Sequence, residues 1–283
     1  MKKKYIQTGK CIWCGKTEEE GASFVNRPHV IPLKLGGDQI GFDVCDECNH
    51  YFGTCTKDER VSVDMALKEV LQLSKLSLSA PSTSKNYSSK YFYIDVDEKL
   101  IKPKGIGFPL KSFTIPFKRG LCECFLQKYH SVTYKGNEKR FDMLRKFARF
   151  GVGDIPVYYT FNKVIFTKDP ELPPDFIMDK VSIETVDKYG FYVLHLYGHI
   201  FTINVIPNLD VEKKMVFLSN LSNMMITEGI TENCFLLEDL NQIDLLYSRF
   251  NDFKHCMNQK GSIVLPNFES VNDKPLVLPN RLF

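Results

Sequence analysis

Apolar positions along the 283-residue chain change period several times, and each change predicts an element. From Asn49 to Leu76 they recur at three- to four-residue spacing, with Val63, Ala66, Leu67, Val70 and Leu71 on one face. This stretch is expected to be mainly helical, with an interruption at Gly53 and Thr54. The polar, serine-rich run 77–89, which contains Pro81, predicts a linker or exposed loop. Tyr91–Val96 reads as a strand, and Lys118–Tyr129 and Lys139–Phe150 read as helices. In the second helix Phe141, Leu144 and Ala148 make one face and Lys139, Asp142, Lys146 and Arg149 another. Val157–Phe166 is rich in β-branched and aromatic residues. Val181–Val186, Phe191–Tyr197 and His199–Ile206 predict an antiparallel meander with turns at Tyr189-Gly190 and Gly198. A helix is expected around Leu236–Phe250, followed by an irregular tail containing Pro266, Pro275 and Pro279. Three units follow: residues 1–76, a linker at 77–89, and a larger mixed α/β domain from 90 to 283.

A 43% hydrophobic content is enough for a conventional core. The chain lacks an apolar run of 18 residues and the apolar stretch of a leader, so a cytoplasmic protein without membrane contact is expected. Charge is uneven. Residues 1–75 hold 11 basic and 11 acidic side chains, whereas residues 99–149 hold 13 basic against three acidic, a net +10. Such an excess suits a polyanionic partner, with Lys139, Arg145, Lys146 and Arg149 as candidate phosphate-backbone contacts. A solvated helical face accounts for it equally well. The larger domain also leaves room for a homodimer contact or a partner protein.

Cysteine changes the picture most. Cys11-Ile12-Trp13-Cys14 and Cys45-Asp46-Glu47-Cys48 are two C-x2-C pairs, 30 residues apart. Each pair can close a tight turn that points two thiolates at one ion, and two such turns complete the tetrahedron that zinc accepts. A redox role would need only one pair. In zinc modules of this size the metal supplies on the order of 10 kcal/mol of folding free energy. The expected class is therefore α+β, a small zinc-stapled module followed by a mixed α/β domain with an antiparallel meander. Cys55 breaks the spacing. Cys122 and Cys124 diverge on their predicted helix, and His195 and His199, on predicted strands, are expected to be structural.

Between the cysteine pairs lies Pro28-His29-Val30-Ile31-Pro32-Leu33-Lys34-Leu35-Gly36-Gly37, and the second pair continues Cys48-Asn49-His50-Tyr51-Phe52-Gly53. This arrangement, from Cys11 to about Gly53, resembles the HNH nuclease family with its ββα-metal fold. The resemblance implies that His29 is the general base, that Asn49 on the helix binds a catalytic divalent ion, and that a polar residue on the second strand orients the base, Asp43 first and Asp38 next. Many family members place an acidic metal ligand immediately before the base. Here that position is Pro28, so a further ligand must come from elsewhere, with His50, Asp43 and Glu47 as candidates.

These residue types suit phosphodiester hydrolysis. A neutral histidine can take a proton from water near pH 7, and Mg²⁺ or Mn²⁺ held by oxygen ligands can stabilise charge on the phosphate. The structural zinc, closed by four thiolates, takes no part. Two readings remain: a DNA endonuclease (RNA is a further candidate substrate) acting in defence against foreign DNA or in a mobile element, and a zinc-dependent nucleic-acid-binding protein whose degenerate site does not cut.

Overall fold

The computed structural model describes residues 3–55, 61–78, 88–95, 100–104, 110–161, 176–227 and 234–245. Most of the predicted 77–89 linker, the end of the 157–166 strand and the proline-containing tail lie outside them. The class is α+β. The helices are α1 (Asp46–Gly53), α2 (Val63–Leu78), α3 (Thr114–Thr133), α4 (Asp142–Phe150), α5 (Lys180–Tyr189) and α6 (Val211–Thr227). The strands are β1 (Phe92–Asp95), β2 (Leu100–Pro103), β3 (Val157–Phe161), β4 (Phe191–Leu196), β5 (His199–Asn204) and β6 (Phe235–Leu236). β1 and β2 form an antiparallel pair, and the other four form an antiparallel sheet in the order β4-β5-β3-β6. The β4–β5 hairpin turns at Tyr197 and Gly198, both at positive φ, as a two-residue hairpin of this hand requires.

Helix α3 sits at the centre. One side carries Phe117, whose ring meets Phe201 of β5 at 5.4 Å, and Phe125, whose ring meets Tyr192 of β4 at 5.2 Å. Its Gly120 faces Leu67 of α2 closely enough that a Cβ there would lie 3.1 Å from the Leu67 Cβ. A single continuous cluster of buried apolar side chains runs from Cys11 through α2 and α3 to Leu245.

A second stripe of α3, at successive turns, is polar yet buried: Arg119, Glu123, Gln127 and His130. Every member reaches the N-terminal module or α2. Arg119 donates to the Tyr51 hydroxyl at 3.0 Å, Glu123 feels the charge of Asp64, Gln127 lies against Gly41, and His130 Nε2 donates to Asp43 at 2.8 Å. Buried polar groups are retained only when hydrogen-bonded, so this stripe fixes how α3 docks on the module.

Two expectations are corrected, and one helix is new. Val181–Val186 is helical, not a strand, because Asp179 caps α5 by accepting from the Ser182 N–H at 2.8 Å and Gly190, at φ 73°, closes its end. β-branching had imitated a strand there. No long helix starts at Leu236: Phe235 and Leu236 pair with Tyr159 and Tyr158 at the sheet edge, and Asp239 caps a single turn at Leu240–Gln242. α6 was not anticipated.

Asp43 is the firmest polar node. It lies in the left-handed region at φ 55° and is fully buried. Its carboxylate accepts from the N–H groups of Gln7, Thr8 and Gly9, from the Thr8 hydroxyl and from His130. Burial alone would raise its pKa, but hydrogen bonds from His130, Thr8 and Gln7 prevail and bring it to about 2. A folded-state value below the unfolded one, about 3.9, stabilises the fold above that pH, and this contribution is lost as pH falls towards 2. Asp43→Asn should therefore lower stability at pH 7 by about 2–3 kcal/mol and remove part of the acid unfolding transition. Denaturant melts of both proteins at several pH values check this.

Candidate metal centre and active site

The first cysteine pair folds as a tight turn. Cys11 N–H donates to Lys16 O, and Gly15, at φ 78°, donates back to Cys11 O. The second pair straddles the start of α1, where Cys45 is the N-cap and Cys48 faces inward one turn later. The four Sγ atoms lie within 4.8 Å of one another, and Cys14 and Cys45 approach to 3.7 Å. Four thiolates at about 2.3 Å from one ion would stand roughly 3.8 Å apart, so the cluster fits a metal ion such as zinc. Trp13 packs edge-on against Phe52 at 4.9 Å and locks the first turn onto α1.

Arg149, from α4, closes this centre from outside. Its Nε donates to Cys48 Sγ at 3.5 Å, its guanidinium lies 3.5 Å from the Tyr51 ring centroid, and it pairs with Glu47 at 3.7 Å. It is buried, and a cation here offsets the negative charge that four thiolates bring.

His29 stands on a minimal hairpin. It bridges Ile40 antiparallel, Val30 N–H donates to Gln39 O, and Gly41 N–H donates to Pro28 O. The H-x-I-P-x-x-x-G-G segment makes this turn possible. Pro32 precedes the single 3-10 turn Leu33–Leu35, Gly36 ends it at φ 87°, and at Gly37 a side chain would strike the Ile31 carbonyl. His29 is half-buried. Its Nε2 is enclosed without a hydrogen-bond partner, and burial, with Arg27 nearby, lowers its pKa below the ordinary imidazole value. Asp46 ties the start of α1 to the segment leading into this hairpin, accepting from the Ser23 hydroxyl and from the Asn26 N–H.

On α1, Asn49 is half-buried with no side-chain hydrogen bond among the described residues, and the exposed His50 lies 3.3 Å from the Thr54 hydroxyl. Asp43, expected to orient His29, has its carboxylate occupied by the Gln7–Gly9 backbone and His130, and among the described residues Asp38 makes no side-chain hydrogen bond or ion pair. Of the four basic candidates, Lys139 and Lys146 are exposed. Arg145 instead donates to Gly136 O and Glu138 O, and Arg149 serves the cysteine centre. Lys118 likewise pairs with Asp154 at 2.6 Å, and Arg140 with Asp187 and Glu138. Part of the local charge excess is thus met by acids outside the segment, Asp154, Asp187 and Glu47. His199 is structural, held between Ser74 at 2.7 Å and Tyr159 at 3.0 Å, and burial keeps it neutral, with its pKa brought down to about 3.

One cluster was not anticipated. Asp64, in the first turn of α2, and Glu123 of α3 are close enough to act on one another; burial raises Asp64 to about 6, and burial with the charge of Asp64 raises Glu123 well above the ordinary carboxyl range against the pull of Arg119. In sequence Asp64 and Glu123 lie 59 positions apart (123 − 64) and neither occupies a motif position, so no local signal joins them.

Residues 11–62 match the family model described as HNH endonuclease. The match takes in all four cysteines, His29, Asn49 and His50, and it points to a nuclease acting on nucleic acid. No curated protein and no solved structure matches the chain. Among the described residues no helix is long and apolar enough to cross a membrane.

Proposed function

We propose that the chain is a metal-dependent endonuclease that hydrolyses phosphodiester bonds of DNA, with His29 as general base. The observation that carries this reading is the state of His29. Within a module matching HNH endonucleases, it is fixed by backbone pairing yet keeps its Nε2 without a partner among the described residues, and burial favours the neutral imidazole. Such a group can take a proton from the attacking water. When bound, Mg²⁺ or Mn²⁺ would stabilise charge on the phosphate and the leaving oxygen. Asn49 offers an oxygen ligand on α1, with His50 beside it, and a structural zinc belongs to Cys11, Cys14, Cys45 and Cys48. Defence against foreign DNA, or mobility of a genetic element, and a cytoplasmic setting belong to the same proposal. The pH profile tests the base. Because burial holds His29 below the ordinary imidazole value of about 6.5, the cleavage rate should stay level from neutral pH to below that value before falling. An acid limb centred above it contradicts this assignment.

Pro28 favours the second reading, a nucleic-acid-binding protein that does not cut, because it stands where an acidic ligand would be. In either case Lys139 and Lys146 are the basic candidates left facing solvent. Replacing each with Ala should weaken duplex binding whatever its sequence and flatten the salt slope by up to about 0.9 per contact. Arg145→Ala and Arg149→Ala should lower the melting temperature instead. Anisotropy titrations over a salt series, beside thermal melts, separate the two effects.

A further inference from the structure

Arg149 lies on α4, 101 positions after Cys48 and outside the matched residues 11–62, yet it is built into the cysteine centre. It is 7% exposed, and a guanidinium does not shed its proton, so its charge has to be met inside the protein. Among the described residues its one side-chain hydrogen bond runs from Nε to Cys48 Sγ, at 3.5 Å. Glu47 stands 3.7 Å away, but its side chain is 67% exposed and also pairs with Lys16, so water screens it. The buried anionic partner of this cation is therefore the thiolate set. A Zn²⁺ ion held by the four thiolates would carry a net charge of −2 (+2 − 4), and three of the four cysteines are buried, so little of that charge is met by solvent. The place of the guanidinium is fixed from two sides. Its carbon lies 3.5 Å from the ring centroid of Tyr51, the side chain one turn beyond Cys48 on α1. Tyr51 is held in turn: its hydroxyl accepts from Arg119 at 3.0 Å, and Arg119 Nε donates at 2.9 Å to the carbonyl of Ala148, the residue before Arg149. Helices α1, α3 and α4 thus converge to set one N–H on one sulfur.

We propose that Arg149 is a positioning residue of the metal centre, which sets how tightly the four cysteines hold their ion and how electron-rich the Cys48 thiolate is. A charge-assisted N–H···S bond draws electron density from the sulfur, and outer partners of metal ligands typically govern affinity by about 10- to 100-fold. The centre then spans two distant parts of the chain, residues 11–48 and α4, and α4 is a component of it instead of a cover. The proposal rests on the zinc reading of the four cysteines and is independent of whether the chain cuts DNA.

The test uses the full chain. Zinc affinity is measured by competition with a chromophoric chelator in wild type, Arg149→Met and Arg145→Met. Methionine keeps an unbranched, flexible stem but carries neither the N–H nor the charge. Arg145 shares α4 but donates to Gly136 O and Glu138 O, so its loss disturbs the same helix without touching a thiolate. Arg149→Met should hold zinc about 10- to 100-fold more weakly, and Arg145→Met as tightly as wild type. In the Co²⁺-substituted chains the thiolate-to-cobalt charge-transfer band should move to longer wavelength in Arg149→Met alone, because a sulfur without the hydrogen bond gives up its electrons more readily. An equal loss of affinity in the two variants, or wild-type affinity or an unshifted band in Arg149→Met, overturns the proposal. Should Arg149→Met not fold, the wild type decides: with cadmium-113 in the site, a nuclear spin coupling between cadmium and the Arg149 Nε proton across the hydrogen bond is expected, and its absence overturns the proposal. A wild type that binds no zinc sinks the zinc reading itself, and this proposal with it.

Discussion

Cys48→Ser is expected to unfold the N-terminal module, and the unaltered chain is expected to carry about one zinc ion. Cys48 is fully buried on α1, among the other three thiols and beneath Arg149. Losing a thiolate removes much of the binding free energy that zinc contributes to folding, on the order of 10 kcal/mol in small modules. That is comparable with the whole stability of an ordinary domain, about 5–15 kcal/mol, so the variant cannot hold α1 or the His29 hairpin in place. The damage should also reach α3, because its buried stripe would lose Tyr51, Gly41 and Asp43 as neighbours. Elemental analysis, far-ultraviolet circular dichroism and limited proteolysis check the prediction. A Cys48→Ser protein that melts like the wild type, or a native chain without bound metal, contradicts it.

His29→Ala should reduce cleavage by about 10²–10⁴-fold, the range typical of losing a positioned general base. The fold should survive, because the hairpin is held by backbone bonds between Pro28 and Gly41 and between Val30 and Gln39, not by the imidazole. DNA affinity should also survive, since the exposed lysines of the second half are untouched. A loss of both cleavage and melting temperature would instead mark His29 as a packing residue.

The cysteine pairs, His29, Asn49 and the glycines after Pro32 are readable from the sequence because local chain geometry places them. A C-x2-C turn or a glycine at positive φ needs only its immediate neighbours. The β4–β5 hairpin is readable for the same reason, through Tyr197-Gly198. α5 is misread because Val181, Ile183 and Val186 imitate a strand, while the decision falls to a cap at Asp179 and a stop at Gly190. The buried stripe of α3 is not readable at all. Arg119, Glu123, Gln127 and His130 look like a solvated face until their partners at Tyr51, Asp64, Gly41 and Asp43 are brought in by the tertiary fold. Asp43 shows the same limit in the opposite direction: its place near the motif suggests a partner for His29, but the turn at Gln7–Gly9 and the distant His130 take its oxygens. Arg149 shares the polar face of its helix with the exposed Asp142 and Lys146, and only the contact between α4 and α1 reveals that it serves Cys48.

The proposed function rests on DNA cleavage that depends on His29. The most direct test is a time course of supercoiled plasmid with the zinc-loaded chain and Mg²⁺ or Mn²⁺, run beside His29→Ala purified identically and beside a chelator control. The expected result is metal-dependent nicking or linearisation by the wild type, with the variant nearly inactive and still bound to the plasmid. Equal cutting by the two proteins, or binding without cutting under either metal, would contradict it.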